Sequence, residues 1–267
     1  MSRFFAEMTE RMHVKVVGMS LGEEYTLTAD LLDKEILRRR EEGGRVKAFL
    51  YCNPSNPLGV VYPRHLTLQL MRVCHRHGIH FISDEIYALS IFDSEEKFNS
   101  VLSIPVEELP DPARTHVLWG LSKDFGLAGF RTGFIYSHSP EVVACLDGMN
   151  VFTCSSPHMQ AVVARLLADT AWLDSIYFPT NLHRLRVAFN NIKTRLHKIG
   201  VSVLPAKAGL FVWADFSSFL TTKDKEGEME LFQRIFTKAK VYMVPGSMFA
   251  CTQPGWFRII FAVAPDK

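Results

Sequence analysis

The first third of the chain alternates between helix-like and strand-like patterns of apolar positions. Apolar residues recur at helical spacing over residues 28–42 and again from Pro63 to Gly78, and glycines predict the end of each helix. Short apolar runs at residues 46–51 and 79–83 follow these segments and are typical of strands. A strand, a helix and a second strand at this spacing predict a parallel crossover unit.

Two further apolar runs, at residues 115–119 and 132–136, extend the predicted sheet. Because they are apolar throughout, they are typical of strands that are covered on both faces, as in parallel sheets. We therefore predict an α/β fold for this part of the chain, with a mostly parallel sheet between helices.

The pattern changes in the second half of the chain. Helical periods dominate at first, and the last residues alternate short strands with one helix at residues 226–239. This order predicts a small α+β domain that follows a long helix. We place the boundary near Phe189, which divides the chain into a large domain (residues 1–188) and a small C-terminal domain (residues 189–267).

The composition narrows the functional classes. The 267 residues are 48% hydrophobic, which is enough for a sizeable core, and 30 basic residues balance 28 acidic ones without forming a basic stripe. No electrostatic case for nucleic acid arises, and no apolar run is long enough to predict a membrane span. The N-terminal residues lack the order of a signal peptide, so we predict a cytoplasmic protein.

The five cysteines are widely spaced and contain no Cys-x-x-Cys pair. This pattern argues against a disulfide framework and against a zinc site. We therefore predict a reducing compartment and no metal.

The motif that carries chemistry is Gly-Leu-Ser-Lys-Asp-Phe-Gly-Leu-Ala-Gly-Phe-Arg-Thr-Gly at residues 120–133. Its lysine, Lys123, follows an apolar strand and lies in a glycine-rich loop, with Arg131 eight residues further on. A lysine beside an anion site suits Schiff-base chemistry with a carbonyl cofactor. The motif therefore indicates pyridoxal 5′-phosphate.

This cofactor also needs a carboxylate beside its ring nitrogen and hydrogen-bond donors to its phenolic oxygen. Asp84 closes one predicted strand, where parallel sheets present ligands, and Tyr87 follows three residues later. Asn56 lies in a proline-rich loop at residues 53–59. Taken singly, an aspartate at a strand end is more often a turn or cap residue, and such a loop is plausible as a proline-fixed turn.

Five motifs in order give the chain a family resemblance. They are Asn-Pro-x-Asn-Pro-x-Gly, Asp-Glu-x-Tyr, Ser-Lys-x-x-Gly-x-x-Gly-x-Arg, Ala-Gly-Leu-Phe-Val-Trp and Gly-Trp-Phe-Arg, at residues 53–59, 84–87, 122–131, 208–213 and 255–258. Each motif alone is weak evidence, but the ordered set is strong. Together they resemble the class I/II aminotransferases of fold type I, and within them the 1-aminocyclopropane-1-carboxylate synthase branch with its animal synthase-like members.

The resemblance implies a role for each candidate around the cofactor ring. Lys123 would bind pyridoxal phosphate covalently and, once released by substrate, move the proton at the substrate α-carbon. Asp84 would pair with the pyridinium nitrogen. Tyr87, the second catalytic candidate, would hydrogen-bond the phenolic oxygen together with Asn56.

The resemblance also implies two anion sites. Ser122 and Arg131 would hold the cofactor phosphate, and Arg258 would clamp the substrate α-carboxylate in a bidentate pair. A surface arginine at the start of a strand is the alternative for Arg258. Because active sites of this family lie at a subunit interface, the full-length protein is expected to form a homodimer that acts on a small-molecule amino acid.

Two departures from the family pattern bear on activity. A second phosphate-binding serine or threonine is usual at the position of Gly120, so one phosphate donor is expected to be lost. The family's upstream phosphate loop and its terminal helix have no counterpart in this sequence. We therefore expect a truncated chain, with an incomplete large domain and a small domain that is incomplete at its end.

Two functional hypotheses follow from the sequence. The first is a pyridoxal-phosphate enzyme that acts on an α-amino acid, either by transamination or by γ-elimination with ring closure on S-adenosylmethionine. The second is a catalytically inactive paralogue or fragment that keeps the fold and acts as a binding partner. Weak or absent turnover is expected of the truncated chain itself.

Overall fold

Two compact units make up the computed structural model, which describes residues 13–263. The larger unit contains residues 28–187 and 207–210. The smaller unit contains residues 13–27, 188–206 and 211–263. The domain boundary near Phe189 stays a prediction.

A four-stranded sheet forms the centre of the larger unit. Its strands, which lie side by side in chain order, are β1 (Ala48–Cys52), β2 (His80–Asp84), β3 (Thr115–Gly120) and β4 (Gly133–Ser137). The first three strands are parallel, which confirms the predicted crossover unit, and β4 is antiparallel to β3.

Seven α-helices begin within the described residues of the larger unit, and the last of them continues beyond residue 187 into the residues of the smaller unit. They are α1 (Ala29–Glu41), α2 (Arg64–His77), α3 (Leu121–Asp124), α4 (Pro140–Thr153), α5 (Pro157–Ala168), α6 (Thr170–Trp172) and, after a π-helical turn at Leu173–Tyr177, the long α7 (Phe178–Lys198). The sequence signals explain two of the ends. Thr28 Oγ1 caps α1 by accepting a hydrogen bond from the Leu31 N–H at 3.1 Å, and Gly78 ends α2 in the left-handed conformation with φ +63°.

Strand β4 differs from the prediction in direction and in burial. The prediction of a strand covered on both faces is wrong, because Phe134, Ile135 and Tyr136 are 41–51% exposed. Residues 121–132, which join β3 to β4, contain only one-turn helices, whereas a parallel crossover normally needs a full helix. The apolar run therefore predicted the position of β4 but neither its direction nor the exposure of its faces.

The one-turn helix α3 is anchored by an apolar cluster. Leu121 is fully buried and packs with Phe125, Val163 and Leu173. Burial of large apolar side chains contributes about 1.5 to 3 kcal/mol each, so this contact holds a helix that is too short to be stable alone.

A short segment from the last third of the chain belongs to the larger unit. The backbone N–H groups of Lys207 and Ala208 both donate to the Gly59 carbonyl, at 2.8 and 3.0 Å. The Lys207 carbonyl accepts from the Phe92 N–H at 3.1 Å, and Ile91 forms an antiparallel bridge with Ala208. Residues 207–210 thus complete the loops that follow β1 and β2.

The smaller unit is built on an antiparallel sheet. Its strands are β5 (Ser202–Val203), β6 (Phe211–Asp215), β7 (Val244–Pro245) and β8 (Trp256–Ile260), in the order β5-β6-β8-β7. The unit also contains the last residues of α7 and the helix α8 (Lys225–Arg234), which continues into a π-helical turn at Ile235–Ala239. Trp213 and Phe257 are almost completely buried on the central strands. The predicted mixed architecture is confirmed. Within residues 13–263, no helix is both long and apolar enough to cross a membrane.

Candidate functional site

Three of the five sequence motifs begin at the same edge of the larger sheet. Asp84 is the last residue of β2 and lies in register with Cys52 at the end of β1 and with Leu118 in β3. The Asn53 N–H donates to the Asp84 carbonyl at 3.0 Å, and the Glu85 N–H donates to the Leu118 carbonyl at 2.9 Å. The carboxyl ends of three adjacent parallel strands are where ligands bind in sheets of this kind.

The loop that carries Asn56 is held by its own polar groups. The buried side chain of Asn53 exchanges two hydrogen bonds with the backbone of Tyr62, donating at 3.1 Å and accepting at 2.9 Å. The Ser55 N–H donates to the Val60 carbonyl at 2.9 Å. These contacts tie both arms of the loop together and leave Asn56 half-buried between them.

Asp84 is half-buried, and its surroundings favour a cationic partner. Its Oδ1 accepts a hydrogen bond from the Ile86 N–H at 3.2 Å. Burial raises the pKa of Asp84 above its usual value, since the charged form loses hydration. A cation beside this carboxylate would replace the stabilisation that its charged form loses on burial. A protonated ring nitrogen would be such a cation.

Glu85, for which the sequence pattern predicts no role, anchors the segment that carries Asp84 and Tyr87. It is 3% exposed and accepts hydrogen bonds from Ser83 Oγ at 3.1 Å, Ser100 Oγ at 2.5 Å and the Val101 N–H at 2.8 Å. Tyr87 is itself buried. The acid in this motif therefore fixes the backbone on which the two predicted site residues lie.

Lys123 is exposed on a buried support. In α3 the neighbours Leu121 and Asp124 are buried, Ser122 is half-buried and Lys123 faces solvent. The Asp124 carboxylate accepts hydrogen bonds from three donors. The periodicity of the sequence does not predict this buried acid. The helix thus presents an accessible amine on a short, fixed segment of backbone.

Gly120 and Arg131 lie on either side of the connection from β3 to β4. A Cβ atom at Gly120 would come within 3.1 Å of the Thr132 carbonyl oxygen, a tight contact that would require the backbone to shift by a few tenths of an ångström. Arg131 is exposed, has φ +53°, and its Nη1 donates to the Ala128 carbonyl at 3.0 Å. The glycine at the family's serine or threonine position thus fits the local packing.

Arg258 lies in the smaller unit, on β8. Its guanidinium carbon is 5.3 Å from the centre of the Phe211 ring and 4.9 Å from that of Phe249. Two aromatic faces at these distances stabilise a guanidinium by cation–π attraction. The substrate clamp assigned to Arg258 by resemblance stays a prediction.

A lysine, an aspartate and an asparagine loop at the ends of adjacent parallel strands define a class of cofactor-binding α/β protein. The chain belongs to the aminotransferase class I and II family, whose model matches residues 3–267. The family resemblance drawn from the five motifs is therefore confirmed. Enzymes of this family depend on pyridoxal phosphate.

Two relatives and one solved structure illustrate the match. The chain is 40% identical over 271 residues to 1-aminocyclopropane-1-carboxylate synthase-like protein 1 of Takifugu rubripes, covering 97% of this chain and 43% of that protein. It is 38% identical to a human protein named "Probable inactive 1-aminocyclopropane-1-carboxylate synthase-like protein 2", covering 89% and 41%. The chain thus spans less than half the length of these two relatives. The aromatic aminotransferase of Pyrococcus horikoshii OT3 has a TM-score of 0.76 at 22% identity, over 91% of this chain and 60% of that one, which shows a shared fold.

Proposed function

We propose that this chain binds pyridoxal 5′-phosphate through Lys123 and represents a pyridoxal-phosphate-dependent enzyme that acts on an α-amino acid. The observation that carries the proposal is the register of the sheet, which places Asp84 beside Cys52, the last residue of β1, and beside Leu118, two residues before the end of β3. The Asn56 and Lys123 segments follow these two strands. The relatives named 1-aminocyclopropane-1-carboxylate synthase-like proteins support the same class.

The residues at this edge match the needs of the cofactor. When bound, pyridoxal phosphate withdraws electrons from the bonds at the substrate α-carbon. Asp84 would hold a proton on the ring nitrogen, and Tyr87 and Asn56 would donate to the phenolic oxygen. Lys123 would hold the cofactor covalently and, when free, would carry the proton to and from the α-carbon.

Ser122 and Arg131 form the proposed phosphate site. Arginine suits this role because it is permanently charged and its donors are forked. Gly120 supplies no hydroxyl, and one charge-assisted hydrogen bond is worth about 1.5 to 3 kcal/mol. We expect cofactor affinity to be roughly tenfold to a hundredfold weaker than with a serine that could be accommodated there.

Arg258 is the proposed clamp for the substrate carboxylate, and two reactions fit an amino-acid substrate. Transamination is supported by a relative named as a probable aminotransferase. Elimination at the γ-carbon of S-adenosylmethionine with ring closure is supported by a relative named as a 1-aminocyclopropane-1-carboxylate synthase. Product analysis with each substrate set separates the two reactions.

The first test is an absorbance spectrum of the purified chain with pyridoxal phosphate, followed by borohydride reduction and peptide mapping. We expect a visible band and a reduced label on Lys123. The Lys123→Arg variant should lose both, and Lys198→Arg, which makes the same change at the end of α7, should keep them. A label spread over several lysines, or none at Lys123, would refute the proposed site.

A second candidate function is a catalytically inactive paralogue with a binding role. Gly120 and the relatives whose names include "inactive" favour it. This hypothesis predicts that Lys123→Ala leaves the biological role intact, and a phenotype for that substitution would exclude it.

Homodimerisation and a cytoplasmic location are further parts of the proposal, as in the family the chain resembles. Light scattering of the purified chain with and without cofactor tests the first, and fractionation of cells that express the chain tests the second. A monomer at all concentrations would remove the dimer from the proposal.

A further inference from the structure

Asp124, the residue after Lys123, has a buried carboxylate that joins three parts of the larger unit. It is 1% exposed. Its Oδ1 accepts from Ser90 Oγ at 2.6 Å, and its Oδ2 accepts from the Leu89 N–H at 3.1 Å and from Trp119 Nε1 at 2.9 Å. An ionised carboxylate only accepts hydrogen bonds, so it can satisfy all three donors at once.

Ser90 links this carboxylate to the segment that carries Tyr87. It is fully buried, and its N–H donates to the Tyr87 carbonyl at 3.0 Å. Its own carbonyl accepts from the Gly209 N–H at 3.0 Å. Ser90 is therefore fixed from three sides, and its contact with Asp124 transmits that position to the lysine helix.

We propose that Asp124 and Ser90 are positioning residues that hold Lys123 in a fixed relation to Tyr87. This inference rests on the proposed cofactor site. Neither side chain is assigned a contact with cofactor or substrate. Asp124 acts through the backbone next to Lys123, and Ser90 acts through the segment that carries Tyr87. The pair explains how a one-turn helix can present a lysine at a constant position.

We expect the charge of Asp124 and its hydrogen bonds to shift the pH midpoint of the bound cofactor's visible band in opposite directions. A nearby anion stabilises the protonated, cationic form of the bond between Lys123 and the cofactor. Loss of the Asp124 charge should therefore lower the pH midpoint of the band. A hydrogen bond from Tyr87 to the phenolic oxygen makes protonation of the bond between Lys123 and the cofactor less favourable. Displacement of Tyr87 should therefore raise the pH midpoint of the band. The two contributions can therefore be separated by their sign.

Three variants of the full chain exploit this difference. Asp124→Asn keeps the shape and removes the charge, because the amide oxygen can accept from Leu89 and Trp119 while the amide nitrogen donates to Ser90. Ser90→Ala keeps the charge and removes the link. Asp124→Ala removes both. Asp147→Asn, an exposed substitution on α4, is the control.

We expect Ser90→Ala to raise the pH midpoint of the band by about 0.5 unit or more. Asp124→Asn should lower it slightly and bind pyridoxal phosphate within about threefold of wild type, whereas Asp124→Ala should bind it at least roughly tenfold more weakly. Asp147→Asn should match wild type in both measurements.

The outcomes separate the inference from the proposed function. A wild-type chain with no label at Lys123 overturns both. A labelled wild type with an unchanged or lowered midpoint in Ser90→Ala overturns the positioning pair alone. If Asp124→Ala does not fold, as judged by circular dichroism, the Ser90→Ala and Asp124→Asn midpoints still decide the question.

Discussion

The larger and the smaller unit hold their candidate residues by different means. In the larger unit Asp84 ends β2 and Lys123 lies on α3, directly after β3. Each is followed by a buried acid that accepts from backbone and hydroxyl donors. In the smaller unit Arg258 lies within an antiparallel strand between two aromatic rings. A loop site thus depends on buried hydrogen bonds, whereas a strand site depends on register and ring packing.

A buried acid nevertheless supports the smaller unit as well. Glu228 on α8 is 1% exposed and accepts from the Ser247 N–H at 3.0 Å and from the Gly255 N–H at 2.8 Å. Ser247 lies two residues before Phe249, and Gly255 three residues before Arg258. The two oxygens of this carboxylate therefore hold the segment that carries Phe249 and the segment that leads into Arg258.

The largest expected effect would show whether the smaller unit depends on its buried acid. Glu228→Ala leaves two buried N–H groups without their acceptor, at a cost of about 1 to 3 kcal/mol each. We expect the free energy of unfolding in urea to fall by about 4 kcal/mol. Glu230→Ala, an exposed change on the same helix, should stay within about 0.5 kcal/mol. Equal values for the two variants would contradict the proposed support.

The pH dependence of stability tests the buried acid Asp124 of the larger unit. Burial raises the pKa of Asp124 from 3.8 to about 6. Its stabilising contribution is therefore complete below pH 3.8 and is lost as the pH rises through about 6. Between pH 4 and 7 the wild type should lose up to about 3 kcal/mol more unfolding free energy than Asp124→Asn. Asp147→Asn should keep the wild-type slope, and parallel slopes for all three proteins would contradict the assignment.

A smaller effect is expected at Gly120, where backbone packing and phosphate binding compete. Gly120→Ser places a Cβ against the Thr132 carbonyl, and overpacking of this kind costs about 1 to 3 kcal/mol. We expect lower stability and no gain in affinity for pyridoxal phosphate, measured by titration of the visible band. Gly129→Ser, where a Cβ meets nothing within 4 Å, is the control for a serine added to the same connection. A tenfold gain in affinity for Gly120→Ser would show that the backbone can yield.

The smallest expected effect tests the ring packing around Arg258. A double-mutant cycle between Phe249→Leu and Arg258→Met should give a coupling of about 0.5 to 1 kcal/mol in unfolding free energy. The same cycle with the exposed Met248 in place of Phe249 should give a coupling near zero. Equal couplings in both cycles would mean that the ring contributes no specific attraction.

The sequence predicted the elements of the larger sheet better than their surroundings. Apolar runs located the four strands to within a few residues, because the buried positions of a strand are occupied by apolar residues that can be recognised in the local sequence. The same pattern contains no information on whether β4 has a neighbour, so its exposure was not predicted. Strand direction depended on the connection instead of on the strand itself.

The candidate site was predicted unevenly for a related reason. Lys123, Asp84 and Asn56 could be proposed from the sequence because motifs that follow the strands of a parallel sheet lie at one edge of it. Their roles stay predictions. Glu85, Asp124 and Glu228 were missed because acidic residues normally face solvent, and their burial is made possible by donors that are distant in sequence. Only the pairing of those donors in three dimensions identifies these acids as supports.

The segment at residues 207–210 has a consequence for the order in which the protein is made. A nascent chain that has reached residue 187 contains the four described strands of the larger sheet, but the N–H groups of residues 207–209, which bind the Gly59 and Ser90 carbonyls, have not yet been made. Contacts across such a sequence distance form late, because the intervening chain must first be closed into a loop. The loops around the proposed cofactor site are therefore the last part of the larger unit to be completed during synthesis.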